Sequence, residues 1–168
     1  MLNKAQKFLL DKIEQDLGIK FPIFTRQIKW NEFGVYFENR NVMGIGFFSQ
    51  NISKIPEEIW DIKTLEVINM VNTGIKILDS KIGELSKLKE LYIGGNELKE
   101  IPQSIKNLIQ LEILYILEEN LTELPIDIGK LGELKELSIT SKYIMDLPKE
   151  ILLLKKGKCR LFLNNLEI

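Results

Sequence analysis

The sequence predicts an α/β solenoid, with a parallel β-sheet on its concave side and short helical or 3-10 segments on its convex side. Three observations predict it. Apolar residues recur at a fixed spacing over most of the chain, each unit begins with a strand-like pattern, and most units carry a proline where a second apolar segment begins. A helix and a β-hairpin are expected to cap the N-terminal end.

The repeat is defined by leucines that open successive units at intervals of 23 residues, at Leu65, Leu88, Leu111 and Leu134. Within the unit at 88, Leu91 and Ile93 follow three and five residues later, and the other units match. Alternate side chains of a strand point to one face, so these residues share an inner face. A period of this length is typical of solenoids, whose stacked units bury one continuous core.

The stretch LKELYIGGNEL, residues 88–98, fits the pattern L-x-x-L-x-L-x-x-N-x-L at every position. On this motif the chain resembles the leucine-rich repeat family over about residues 42–168. Prolines in the second half of the units resemble the 23-residue subtype with Ile/Leu-Pro-x-x-Ile; they are Pro56, Pro102, Pro125 and Pro148. The resemblance implies a right-handed arc and a role in binding other proteins or peptides.

The chain divides into a non-repetitive cap, residues 1–41, and the repeats, residues 42–168. Units begin at 42, 65, 88, 111 and 134, and a half-unit covers 158–168.

An amphipathic helix is predicted near the start of the chain, because Ala5, Phe8, Leu9, Ile13 and Leu17 are spaced by three or four residues. Gly18 is expected to end this helix. The segment 34–38 is predicted to turn at 39–41 and pair antiparallel with 43–48, which would cover the first sheet edge. The alternative for residues 1–18 is a helix that binds a partner.

Two features depart from the family pattern. The usual Asn is kept only at Asn96; the equivalent positions in the other units hold Gln50, Thr73, Glu119 and Lys142. We therefore expect looser turns, or water in the gaps. Asp79 replaces the usual proline and is predicted to cap the segment that follows, because Asp accepts bonds from N-terminal N–H groups.

The C-terminal end contains Leu161 and Leu163 at strand positions, with no complete return segment after them. Either Leu166 and Ile168 fold over the end of the core, or this edge pairs with something else. Cys159 is interpreted as a small, partly buried hydrophobe.

Composition excludes several classes of function. With 23 basic and 24 acidic residues the net charge is −1, which argues against nucleic acid as a partner. The chain lacks a signal-peptide pattern and an apolar run of membrane-spanning length, so we expect a cytoplasmic protein with no membrane partner. One cysteine and no histidine leave no zinc cluster, and no cofactor motif is present.

We predict no enzymatic activity; Glu90 and Glu136 could line the concave side, but nothing marks them as an acid/base couple.

Outward positions of the strands give the candidate binding surface, with an unknown protein or peptide as the partner. Many of these positions are apolar where exposure predicts polar residues, and such patches usually mark interaction sites. The candidates are Phe48, Val67, Asn69, Val71, Asn72, Tyr92, Gly94, Gly95, Ile113, Tyr115, Leu117, Ser138, Thr140 and Phe162.

Alternatives to this interpretation remain open. The apolar stripe could serve only cross-strand packing. The concave patch or the edge at 159–165 could form a weak homo-oligomer, or the chain could be an enzyme of unrecognised type. Gly94 and Gly95 either open a notch beside Tyr92 and Tyr115, or serve a backbone conformation that needs glycine.

Overall fold

The computed structural model describes residues 2–168, and its strands form one nine-stranded sheet in sequence order. The strands are β1 (Ile23–Phe24), β2 (Phe33–Glu38), β3 (Asn41–Phe47), β4 (Val67–Val71), β5 (Glu90–Gly94), β6 (Ile113–Leu117), β7 (Glu136–Thr140), β8 (Arg160–Leu163) and β9 (Leu166–Glu167). Strands β3 to β8 are parallel, and β1 pairs parallel with β2, while β2 runs antiparallel to β3 and β9 antiparallel to β8. This arrangement confirms the predicted α/β solenoid.

The register places equivalent residues of successive repeats side by side. Leu91 pairs with Ile68 on one side and with Leu114 on the other, and all three are buried. The last step is one residue longer, because Leu137 pairs with Leu161. Lys158, two residues before β8, has a left-handed conformation (φ 66°) at the end of the last return segment.

Short 3-10 helices form the return segments, at Glu57–Asp61, Ser80–Glu84, Gln103–Asn107 and Ile126–Lys130; the last return segment combines helix α2 (Lys149–Leu152) with a 3-10 turn at Leu153–Gly157. In most of them proline is the N-cap, one residue before the first helical turn. Asp79 occupies the same position, and its carboxylate accepts a 2.8 Å bond from the Lys81 N–H. The predicted cap is therefore confirmed.

Helix α1 (Lys4–Leu17) begins after Asn3, whose side chain accepts from the Gln6 N–H, and ends at left-handed Gly18. The predicted apolar face is confirmed only in part: Ile13 is buried and Leu9 and Leu17 pack against the core, but Ala5 and Phe8 are exposed, and Gln6, Leu10 and Glu14 are buried. The reason is polar anchoring to the first repeats. The Gln6 side chain accepts from the Val42 N–H and donates to Thr64 Oγ1. The apolar spacing alone did not reveal these partners.

Strands β2 and β3 form the predicted antiparallel hairpin. Asn39 and Arg40, both with positive φ (48° and 70°), make its turn, and such two-residue turns match the twist of the strands. The hairpin covers the first edge of the parallel sheet.

The C-terminal edge also ends in a hairpin. Asn164 and Asn165 are both left-handed, and β9 pairs antiparallel with β8. Leu166 is 70% exposed, so it does not fold over the core. Of the two alternatives, the edge pairs with another segment, and that segment is the next part of the chain itself.

A ladder of polar side chains joins the turns that follow the strands. Asn96 Oδ1 accepts from the Thr73 N–H and hydroxyl at 2.9 and 2.8 Å, and its Nδ2 donates to Glu118 Oε1 at 2.8 Å. Farther along, the Ser141 hydroxyl donates to the Leu121 carbonyl, and Asn164 accepts from the Ser141 N–H. Side chains other than Asn thus make many of the expected bonds, and the expectation of looser turns is not met there.

Glu118 is the unusual member of this ladder. Its side chain is fully buried, and it occupies the ladder position that the repeat pattern assigned to Glu119. Burial without a cationic partner raises its pKa to about 7, although hydrogen bonds from Asn96 oppose the shift.

No helix in residues 2–168 combines the length and the apolar composition needed to cross a membrane.

The Asp79 cap leads to a stability prediction. Asp79→Ala should lower the free energy of unfolding by about 1 kcal/mol, because an N–H group of the 3-10 segment loses its acceptor. Thermal and urea melts measure this difference. Asp146→Ala, at an exposed aspartate two residues before a proline cap, is the control. An unchanged midpoint for Asp79→Ala would contradict the role of the cap.

Glu118 leads to a pH prediction. Its pKa in the folded state exceeds its unfolded value of about 4.5, so its contribution to stability falls as pH rises from 4.5 to about 7 and is constant outside that window. Glu118→Gln should therefore gain stability relative to wild type across this window, by up to about 3 kcal/mol. Urea melts from pH 4 to 8 measure the gain. Exposed Glu123→Gln should follow the wild-type curve, and parallel curves for Glu118→Gln would refute the assignment.

Candidate binding surface

The outward side chains of β3 to β8 form rows that cross the sheet, and the candidate binding residues lie in these rows or directly after the strands. The central row has a continuous register and consists of Gly46, Asn69, Tyr92, Tyr115, Ser138 and Phe162. Phe48, Val71, Gly94, Leu117 and Thr140 form a second row two residues farther along the strands. The candidates are thus brought together, as the repeat predicted.

Two tyrosines form the middle of the central row. Tyr92 and Tyr115 are paired neighbours, as predicted, and their rings meet edge to face at 5.2 Å. The Tyr92 hydroxyl donates to Glu90 at 2.7 Å, and the Tyr115 hydroxyl donates to Glu136. Burial and the adjacent carboxylate raise the pKa of Tyr115 to about 12 and that of Tyr92 further. Both phenols therefore remain neutral donors at ordinary pH.

A segment from the N-terminal cap covers part of this surface. We call residues 25–32, between β1 and β2, the strap. Its Ile28 is only 2% exposed and packs against Val67, Val71 and Tyr92. Those three candidates and Asn69 are therefore buried, and the expectation that they are exposed is wrong. The repeat pattern carried no information about a covering segment from outside the repeats.

Asn69 holds the strap by its backbone. Its Nδ2 donates to the carbonyls of Glu32 at 3.1 Å and Lys29 at 3.4 Å, while its Oδ1 accepts from the Val71 N–H. Gly46 lies beneath the strap, and a Cβ there would meet the Glu32 carbonyl at 2.3 Å. The glycines at 44 and 46, both on the outward face of β3, were the sequence signal for this close approach.

Trp30 is a surface residue that sequence reasoning missed. It is 49% exposed at the tip of the strap, and its ring meets Phe48 edge to face at 6.4 Å. Exposed tryptophans next to partly buried aromatic residues are common in binding hot spots. The only sequence signal was an unassigned Trp outside the repeats.

The half of the surface beyond the strap is open. Ile113, Tyr115, Leu117 and Phe162 are partly exposed, as are Ser138 and Thr140. Arg160 lies over the Phe162 ring at 4.9 Å and pairs with Glu136 at 3.1 Å. This region combines apolar contact area with a polar border.

Gly94 and Gly95 have separate reasons for being glycine. Gly95 is left-handed (φ 61°), and a Cβ there would lie 1.8 Å from Asn72 Oδ1, which supports the backbone interpretation. A Cβ on Gly94 would lie 2.9 Å from Leu117 Cβ. Leu117 thus lies close to the position that a side chain at 94 would occupy. The notch that Gly94 leaves between Val71 and Leu117 is therefore shallow.

The chemistry of the surface is that of contact and hydrogen bonding. Glu90 and Glu136 both accept tyrosine hydroxyls and stand on strands that are not adjacent. Cys159 is buried, as its interpretation required, and burial raises the pKa of its thiol to about 11, which disfavours a thiolate nucleophile. Residues 2–168 contain no group of three metal-ligating side chains.

No protein-family model matches the chain, and no curated protein matches its sequence. Solved structures do match. A leucine-rich repeat protein of Leptospira interrogans is 34% identical over 71% of this chain and 29% of that protein, with a TM-score of 0.57. The leucine-rich repeat ectodomain of the receptor kinase SOBIR1 from Arabidopsis thaliana covers 98% of this chain and 94% of its own, at 17% identity and a TM-score of 0.69.

A third similar structure is the Arabidopsis receptor kinase HAESA in complex with the peptide hormone IDA and the co-receptor SERK1. It is 20% identical over 76% of this chain and 20% of that one, with a TM-score of 0.53. At this level of identity the likeness shows the fold alone. The chain spans less than a third of the Leptospira protein and about a fifth of HAESA.

Proposed function

Because the chain belongs to the leucine-rich repeat proteins, we propose that it is a recognition module whose concave face binds another protein or a peptide. The observation that carries the proposal is the partly exposed apolar group at the open half of this face. Ile113, Tyr115, Leu117 and Phe162 occupy positions that solvent exposure alone would leave polar.

The polar border fits peptide recognition. Glu136 accepts from Tyr115 and Arg160, so these side chains hold one another in place. Preorganised side chains lose little freedom when a partner binds, which favours affinity. Tyr115 itself offers a large ring with few torsions to freeze. The complexes with a peptide hormone formed by a protein of the same fold support the same class of ligand.

The test uses binders selected from a random peptide library on the immobilised wild-type chain. A selected peptide is then titrated against the double variant Ile113→Lys/Leu117→Lys by calorimetry. The variant should bind at least about ten-fold more weakly, because two apolar contacts are replaced by charges that must be desolvated.

The matched control is Ile77→Lys/Ile109→Lys, which makes the same substitutions at exposed isoleucines between the strands. This control should bind like the wild type, and both variants should melt cooperatively. Equal affinity of the two double variants would place the binding elsewhere on the molecule and contradict the proposal.

Self-association is a second candidate, and exposed leucines at the C-terminal end favour it. Leu153 and Leu166 are both largely exposed there. Light scattering of the purified chain should then show a mass that rises with concentration, and Leu166→Lys should return it to the monomer value. A monomer at all concentrations would exclude this candidate.

A further inference from the structure

Ile28 is the one side chain of the strap that is fully buried against the concave face; Trp30 contacts Phe48 but stays 49% exposed. Ile28 is buried, but Thr25, Arg26 and Gln27 before it and Lys29 and Trp30 after it are exposed. A segment of the core would bury alternate or successive residues. One buried side chain flanked by exposed residues instead resembles a bound peptide that places a side chain in a pocket.

The pocket around Ile28 is apolar, and its buried side chains belong to the repeats. Val67, Val71 and Tyr92 form it, and Phe24, Tyr36, Phe48, Ile113 and Tyr115 pack around it. It therefore borders the open half of the concave face directly, through Ile113 and Tyr115. A partner on that half would meet the strap at its edge.

The backbone contacts of the strap do not depend on its sequence. Asn69 is fully buried, and its amide donates to two carbonyls of the strap. These carbonyls bracket a turn, in which the Glu32 N–H donates to the Lys29 carbonyl at 3.2 Å. Contacts to main-chain carbonyls do not select among side chains, so side-chain selectivity falls on the pocket for Ile28. Two further side-chain contacts lie at the rim: Gln27 donates to Glu90 at 2.7 Å, and Trp30 meets Phe48 edge to face.

The strap is closed on itself at its base. Arg26 pairs with Glu32 at 2.5 Å, and Glu32 also accepts from the Lys29 N–H at 2.8 Å. The Arg26 guanidinium lowers the pKa of Glu32 to about 2, so this ion pair stays charged at ordinary pH. Both contacts lie within the strap, so its loop shape is held by its own residues.

We propose that the strap is an internal ligand, and that the Ile28 pocket receives an aliphatic side chain of the partner peptide when the strap tip is displaced. This proposal rests on the proposed function and adds the class of residue that is recognised. The partner carries a branched aliphatic residue, which takes the place of Ile28 in the pocket. Because the strap competes for the pocket, the apparent affinity of the wild type is reduced by the fraction of molecules in which the pocket is open.

The probe is the synthetic peptide FTRQIKWNEF, the sequence of residues 24–33 with blocked ends and a fluorescent label. It is titrated by fluorescence anisotropy against the full-length wild type and against Ile28→Ser, which removes the anchor of the strap. Ile28→Ser should bind the peptide at least ten-fold more tightly than the wild type. The same peptide with serine in place of the isoleucine should bind neither protein measurably.

Asn31→Ala is the matched control, since this exposed strap residue lies outside the pocket. It should bind the peptide as the wild type does. Thermal melts establish that each variant is folded. If Ile28→Ser does not fold, Ile28→Val, which removes one methyl group, replaces it and should show a smaller gain in affinity over the wild type.

Equal affinity of wild type and folded anchor variants, or equal binding of the serine peptide, would overturn the proposal and make the strap a permanent cover. The library-selected peptide separates this failure from that of the proposed function. If that peptide binds through Ile113 and Leu117 but is indifferent to Ile28→Ser, the concave face is a binding site and the strap proposal is wrong.

Discussion

The stacking of apolar residues between neighbouring repeats is the interaction on which the rest of the structure depends. Each repeat contributes a strand and a short return segment, and neither could bury its apolar side in isolation. The parallel register sets Ile68, Leu91, Leu114 and Leu137 beside one another, so the inner side chains of one repeat form the surface on which the next one packs. Pairing of the parallel strands adds backbone hydrogen bonds between the same neighbouring repeats. Stability is therefore shared between neighbours, and both ends of the stack must be closed.

The two ends are closed in different ways because they present different problems. At the start, α1 buries Leu10 and Ile13 over the core and fixes its position with the Gln6 side chain, while the β2–β3 hairpin removes the free sheet edge. At the other end only two residues of β9 cover β8. Between the ends, the ladder of polar side chains supplies hydrogen-bond partners for the backbone of the turns. Its carboxylic member, Glu118, makes the ladder sensitive to pH, because burial disfavours the charged form.

The concave face is divided by the strap into a covered part and an open part. The covered part has glycines in β3 that let a carbonyl approach, a buried Asn69 that binds main-chain oxygens, and a pocket that holds Ile28. The open part has tyrosines and aliphatic side chains bordered by charges. The two parts meet at Tyr92 and Tyr115. The same face thus holds a loop of its own chain on one side and leaves apolar side chains partly exposed on the other.

The sequence by itself determined the repeat, the parallel sheet, the pairing of Tyr92 with Tyr115, the N-terminal hairpin and the cap at Asp79. These features follow from local spacing, since a fixed period sets the register and a capping residue acts on its own turn. Only the tertiary structure decided the buried face of α1, the place of Glu118 in the ladder and the cover over Val67, Val71 and Tyr92. These depend on contacts between segments that lie far apart along the chain, such as Gln6 with Thr64 and Ile28 with Tyr92. A single period in the sequence records how repeats meet one another, but it does not record which non-repetitive segment lies across them.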